Sequence, residues 1–297
     1  MYTIQIIGAG YTGTRIAQFF AAEKQKVFAL TRSVEKAKSF EAQKINPIIA
    51  DLIKPETLTQ IPPAHFIVIC PAPDAVSSSS ALAAQPRDRG NRDEAYEAIY
   101  LKGIGNYLNA IKKHPKPFLI VYLSSTGVWQ DQSGDIFDET VAPTPVSKKA
   151  QILFEAEKQI LNCGLPAAIL RLSGIYGPGR NRIEAFQKSE WPGAGSDRWM
   201  NMIHVDDIAA CLPTFFKNAK EGEVYLGTDD EPFLMSNLVH WLREKTGAKG
   251  NFSFSKDLPL GRRLKNTKFK DLGISLKYPT FREGYSELLR AEVKTHE

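Results

Sequence analysis

The chain has 297 residues, 43% of them hydrophobic and 24% charged, with a formal charge of +5. This is the composition of a globular protein and not of a disordered one, and no apolar run reaches the roughly 18 residues that a membrane helix needs. Cys70, Cys163 and Cys211 stand far apart among apolar neighbours, so neither a disulfide framework nor a zinc site is signalled and buried free thiols are expected. A first strand begins almost at once and leaves no room for a signal peptide, which predicts a cytoplasmic protein.

Apolar runs at Thr3 to Ile7, Lys26 to Leu30, Pro47 to Ala50, His65 to Cys70, Phe118 to Leu123 and Pro166 to Leu170 read as strands. Between them, Tyr11 to Ala22, Glu94 to Ile111 and Ala150 to Cys163 carry helical periodicity. That alternation predicts an α/β fold, a Rossmann-type doubly wound parallel sheet, with ligands outside the C-terminal strand ends. The sheet is expected within residues 1–176 and is completed by segments within 199–228. Residues 177–297 are expected to form mainly a smaller C-terminal α+β substrate lobe. The polar stretch 77–93, with Ser77 to Ser80, reads equally as a lid or as a plain connection.

The first strand runs into Gly8-Ala9-Gly10-Tyr11-Thr12-Gly13, a G-x-G-x-x-G fingerprint between a strand and a helix. In that context Gly8 allows a tight turn, Gly10 close approach of a pyrophosphate, and Gly13 close helix–strand packing. After the second strand comes Thr31-Arg32-Ser33. An acid there would select NAD, whereas Arg32 puts a guanidinium where a 2′-phosphate would sit. NADP(H) is therefore favoured over NAD(H), with Glu35 near enough to keep NAD open. Asp51 and Leu52 are placed to flank the adenine, and Pro71-Ala72-Pro73 to form a rigid turn beside the ribose and pyrophosphate.

After the fifth strand comes Ser124-Ser125-Thr126-Gly127-Val128-Trp129, and further on Arg171, Ile175-Tyr176-Gly177-Pro178-Gly179, Asn201 to Ala209 with its His-Val-Asp-Asp core, and Tyr278 to Tyr285. In this order the segments resemble an extended short-chain dehydrogenase/reductase, the superfamily of nucleotide-sugar epimerases and dehydratases. The opening and closing motifs resemble those of an atypical branch. The resemblance implies that Ser125, with Ser124 and Thr126 beside it, positions substrate, and that a Tyr and a Lys four residues later manage the proton. Here Lys149 and Leu153 occupy those two positions, and Trp129 replaces the Tyr of the family's turn. Lys148 or Lys149 could bring a cation to the ribose, although a solvated lysine pair is the commoner arrangement.

Arg180, Arg198, Arg263 and Trp129 are the candidate substrate contacts, because guanidinium groups suit a phosphate. Arg171 reads as an anchor for a strand end or a carboxylate, and His204 as a loop-holding histidine. Tyr96, Tyr100 and Tyr107 share a helical spacing, read as core in preference to a replacement catalytic phenol. The basic run Lys256, Arg262, Arg263, Lys265, Lys268 and Lys270 is a solvated face or a rim for a phosphorylated or acidic small molecule. No nucleic-acid motif, metal-ligand spacing or membrane span accompanies it. The resemblance implies a small-molecule substrate, phosphorylated or a nucleotide sugar, and a homodimer through Glu94 to Ile111 and Ala150 to Leu161.

Two functions fit. One is an NADP(H)-dependent oxidoreductase or epimerase with an unconventional proton donor. The other is a non-catalytic NADP(H)-binding regulatory or sensor protein.

Overall fold

A computed structural model describes residues 1–73, 89–130, 134–187, 194–247, 253–255 and 258–295. Most of the serine-rich stretch 77–93 lies outside the described residues, as does Lys256. The chain divides into two compact units: Met1–Trp129 with Pro143–Arg171 and Ile208–Tyr225, and Gln130–Ala142 with Leu172–Asp207 and Leu226–Glu297.

In the first unit, β1 (Thr3–Ile7), α1 (Tyr11–Ala22), β2 (Lys26–Thr31), α2 (Val34–Ala42), β3 (Asn46–Ile49) and β4 (Phe66–Ile69) follow one another. Then come α3 (Arg89–Glu97), α4 (Ile104–Ile111), β5 (Leu119–Ser125) and α5 (Lys148–Leu161). The sheet has seven parallel strands in the order Val224–Gly227, Ala167–Leu172, β5, β4, β1, β2, β3. The strand order reverses between β1 and β4, and the crevice at their C-terminal ends is where such sheets bind ligands.

The helices form because their apolar residues recur every three or four positions. Gly13, Ile16, Ala17 and Phe20 make the buried stripe of α1, and Ala150, Leu153, Ala156, Glu157 and Ile160 that of α5. Ser147 caps α5 by accepting from the Ala150 amide at 3.2 Å, and Ser33 caps α2 by accepting from the Lys36 amide at 3.1 Å.

The single helix expected over Glu94 to Ile111 is instead α3 and α4 joined by a π-helical turn, Ala98–Gly103. Gly103 lies at the end of that turn, where a Cβ would come within 3.0 Å of the Leu52 Cβ. The wider turn shifts the phase of the tyrosine series. Tyr96 and Tyr100 keep their rings 5.3 Å apart. Tyr107 is fully buried, with its hydroxyl donating to Gln5 Oε1. The thiol expectation also needs revision: Cys211 is buried, but Cys70 and Cys163 are half-buried, and none of the three is in a disulfide. Among the described residues no helix is long and apolar enough to cross a membrane.

The second unit has its own core, with Tyr176, Phe186, Phe233, Leu242, Phe281 and Tyr285 among its members. Three of the sequence motifs meet here. Both oxygens of Asp207 accept backbone amides from the closing motif, Lys277 at 2.7 Å and Tyr278 at 3.0 Å. The His204 ring packs 4.0 Å from Tyr278 and 5.0 Å from Tyr176. Tyr176 also stacks on Tyr285 at 5.3 Å. Gly284 is the residue that permits this arrangement, because a Cβ there would stand 2.0 Å from the Tyr176 hydroxyl. Gly284→Ala should therefore destabilise the protein by about 1–3 kcal/mol, as overpacked cores do, which a denaturant melt followed by tyrosine fluorescence would register.

Burial pushes the Asp229 carboxyl well above the ordinary carboxylate range; one oxygen accepts the Met202 amide at 3.5 Å and the other has no partner among the described residues. Folding thus favours the protonated form, so this residue costs stability as pH rises above its unfolded value of about 4. Asp229→Asn should lose less thermal stability than the parent between about pH 5 and pH 8, measured by scanning calorimetry.

Candidate functional site

The crevice of the first unit is built on the fingerprint. Gly8 has φ +102°, and a Cβ there would lie 2.5 Å from Pro71 Cα. A Cβ on Gly13 would lie 2.2 Å from the Gly8 carbonyl oxygen. Both glycines are required by backbone packing. Gly10 differs, since its Cβ direction is open, with nothing within 4 Å. It is also the N-cap of α1, has no side-chain cap, and precedes a first turn with no acidic residue. A helix start with no side-chain cap and an open approach fit the pyrophosphate of a dinucleotide. Tyr11 and Thr12, both half-buried, form the start of that first turn.

Around this loop the strand ends follow in order. Thr31 is buried and its hydroxyl accepts the Ser33 amide at 3.2 Å, while Arg32 and Ser33 are exposed. Asp51 is half-buried and turns inward to accept the Ile53 amide at 3.2 Å. Leu52 belongs to the core cluster. Pro71 and Pro73 are buried and Ala72 is exposed. Cys70 ties the two central strands together: its thiol donates to the Gly8 carbonyl at 3.2 Å, and burial pushes its pKa up to about 12, keeping it a protonated donor.

At the end of β5, Ser125 is half-buried and accepts the Gly127 amide at 3.1 Å. Ser124 and Thr126 are buried, and the Ser124 hydroxyl has no partner among the described residues. Two residues earlier, and therefore on the same face of the strand, the buried Tyr122 hydroxyl is also unpartnered. Lys149 is exposed, with its ammonium 5.3 Å from the centre of the Tyr96 ring, and Lys148 pairs with Glu97 at 2.5 Å. Leu153 is buried, with a carbon 4.0 Å from where a Gly127 Cβ would stand.

Trp129 is 3% exposed, and the Arg171 guanidinium lies 4.7 Å from its ring centre. That guanidinium makes a two-pronged pair with Glu157, at 3.0 and 2.8 Å, both residues being almost wholly buried. The carboxylate partner expected for Arg171 is therefore Glu157.

In the second unit, Arg263 donates from Nε to the Gly134 carbonyl at 2.8 Å and lies 5.1 Å from the Trp199 ring centre. Arg198, exposed, bridges to Leu260 beside the same Trp199. Arg180 sits apart in a turn, bridged to Gly177. His204 is buried, and its Nδ1 accepts the Asp206 amide at 3.2 Å. Among the described residues no cluster of potential metal ligands occurs.

The motif reading passed over three residues: Cys70, Glu157 and Lys36. Glu157 had a signal, a carboxylate set on the apolar stripe of α5. Cys70 read only as an apolar-flanked thiol. Lys36 carried no mark beyond its place three residues after a helix cap.

A glycine-turned parallel sheet with an uncapped helix start and a serine-bearing fifth strand is the architecture of the epimerase/dehydratase class. The model of the NAD dependent epimerase/dehydratase family matches residues 4–226, and the chain belongs to that family. It is 25% identical over 226 residues to the protein YeeZ of Escherichia coli K12, covering 76% of this chain and 77% of YeeZ. A Methylobacillus flagellatus structure described as of NAD-dependent epimerase/dehydratase type aligns with a TM-score of 0.79 at 29% identity, over 98% of each chain. The Thermus thermophilus UDP-glucose 4-epimerase in complex with NAD shares the fold, with a TM-score of 0.74 at 18% identity over 95% of this chain and 96% of that one.

Removing one side of the Glu157–Arg171 pair strands a buried charge. Glu157→Ala should cost about 3–5 kcal/mol, whereas the paired apolar replacement Glu157→Leu with Arg171→Met should recover most of it, as read from urea midpoints.

Proposed function

We propose that this protein is an NADP(H)-binding epimerase/dehydratase-type protein acting on a phosphorylated small molecule or a nucleotide sugar. The observation that carries the cofactor reading is Arg32. It stands exposed at the end of β2, on the rim of the glycine loop, with no acid among residues 31–33. A dinucleotide's pyrophosphate is held by the amides following Gly10, and its adenosine end meets Thr31, Arg32 and Ser33 with Asp51 on the far side. The nicotinamide supplies a hydride acceptor or donor when bound. Ser125 orients a substrate hydroxyl, with Ser124 and Thr126 shaping its strand end. Arg198 and Arg263, set about Trp199, are the anion contacts on the substrate side, and Arg180 is a third candidate.

A second reading is a cofactor-binding protein without turnover. It is favoured by Leu153, whose buried apolar side chain cannot lower a phenol pKa, and by Lys149, whose ammonium covers the Tyr96 ring. Mixing the NADP⁺-loaded protein with UDP-glucose and following reduced-nicotinamide absorbance tests one substrate; a signal would overturn the non-catalytic reading.

Calorimetric titration is expected to give NADP⁺ a roughly ten- to hundredfold lower Kd than NAD⁺, and Arg32→Ala should remove most of that margin. Equal affinities in the parent protein would overturn the NADP assignment.

A further inference from the structure

The glycine loop and the helix after β2 are joined by a side chain that no motif marks. Lys36, in the first turn of α2, is half-buried, and its ammonium lies 5.7 Å from the Phe40 ring centre. From there it donates a hydrogen bond to the carbonyl of Ala9, the residue between the first two fingerprint glycines. An ammonium carries three donors and strongly prefers an anion nearby, yet no carboxylate among the described residues pairs with it. Burial accordingly lowers its pKa. Arg32 and Ser33 lie within four residues of it, and the Ser33 hydroxyl accepts the Lys36 amide at 3.1 Å. Ser33 and Lys36 therefore link the end of β2, where Arg32 stands, to Ala9, beside the place where the adenine-side ribose lies when a pyrophosphate occupies the loop.

We propose that Lys36 is the second cation of a 2′-phosphate site, keeping one N–H on the Ala9 carbonyl while giving another to the 2′-phosphate of NADP(H). The inference rests on the NADP reading above and adds to it. Arg32 approaches the phosphate from solvent with a planar fork, and Lys36 approaches from the loop side as a compact point charge. One side chain then ties the phosphate that distinguishes the two dinucleotides to the loop that holds the pyrophosphate common to both.

The test is calorimetric titration of NADP⁺, NAD⁺ and 2′,5′-ADP, the last carrying the adenosine end without nicotinamide, into the parent protein and the Lys36→Met, Lys36→Gln and Lys36→Arg variants. Lys36→Met should weaken NADP⁺ and 2′,5′-ADP by about ten- to a hundredfold and leave NAD⁺ within about threefold. Lys36→Gln can keep the Ala9 bond without the charge and should behave as Lys36→Met does, whereas Lys36→Arg should restore most of the loss. An equal loss of NADP⁺ and NAD⁺ in the Met and Gln variants would reduce Lys36 to a loop support and overturn the inference, as would unchanged NADP⁺ binding; in both cases Arg32 stands. A parent protein that binds NADP⁺ no better than NAD⁺ overturns both assignments.

Discussion

Where β1 ends, its backbone passes so close to the chain leaving β4 that Gly8 has no room for a single extra carbon, and α1 starts so close to the Gly8 carbonyl that Gly13 has none either. Everything at the ligand end of the first unit follows from that approach. With Gly8 at φ +102° the chain turns directly into α1, and the Cys70 thiol closes the gap by donating to the Gly8 carbonyl. Gly10, the N-cap of that helix, keeps an open flank. The three glycines of the fingerprint thus divide into two that backbone packing requires and one, Gly10, whose flank is open.

Much of this was legible in the chain. Periodicity located β1, β2, β4 and α1 because each is a short apolar run or stripe with a turn residue beside it. The fingerprint marked the crevice because glycine requirements are written residue by residue. What escaped was set by contacts distant in sequence. The π-helical turn between α3 and α4 ends at Gly103, where a Cβ would crowd Leu52 from far earlier in the chain, and no local propensity announces it. Glu157 and Arg171 are each visible as charges in apolar surroundings, but only the fold shows that they neutralise one another. Lys36 looks like any surface lysine until the loop carbonyl it reaches is known.

The segments that carry the sequence resemblance, Tyr176 to Gly179, the His-Val-Asp-Asp run and the closing Tyr278 to Gly284, perform architectural work in the second unit. Asp207 holds the closing motif by two backbone amides, Tyr176 occupies the space that Gly284 vacates, and His204 fills the angle between two tyrosines. Family membership can therefore be carried by segments whose work is architectural. The positions that identify the chain and the positions expected to move a proton belong to different parts of it.

The interleaving of the two units also bears on how the protein is made. The first unit needs Ile208–Tyr225 as well as the residues before Arg171, and the second is closed by amides at Lys277 and Tyr278. During synthesis the strand Ala167–Leu172 emerges well before its outer neighbour Val224–Gly227, so for that interval the growing sheet carries a bare edge that is apolar but for Arg171. A nascent chain paused there, or a fragment cut after Tyr176, would present a ready template for pairing with another copy, and chaperone demand should concentrate on that window.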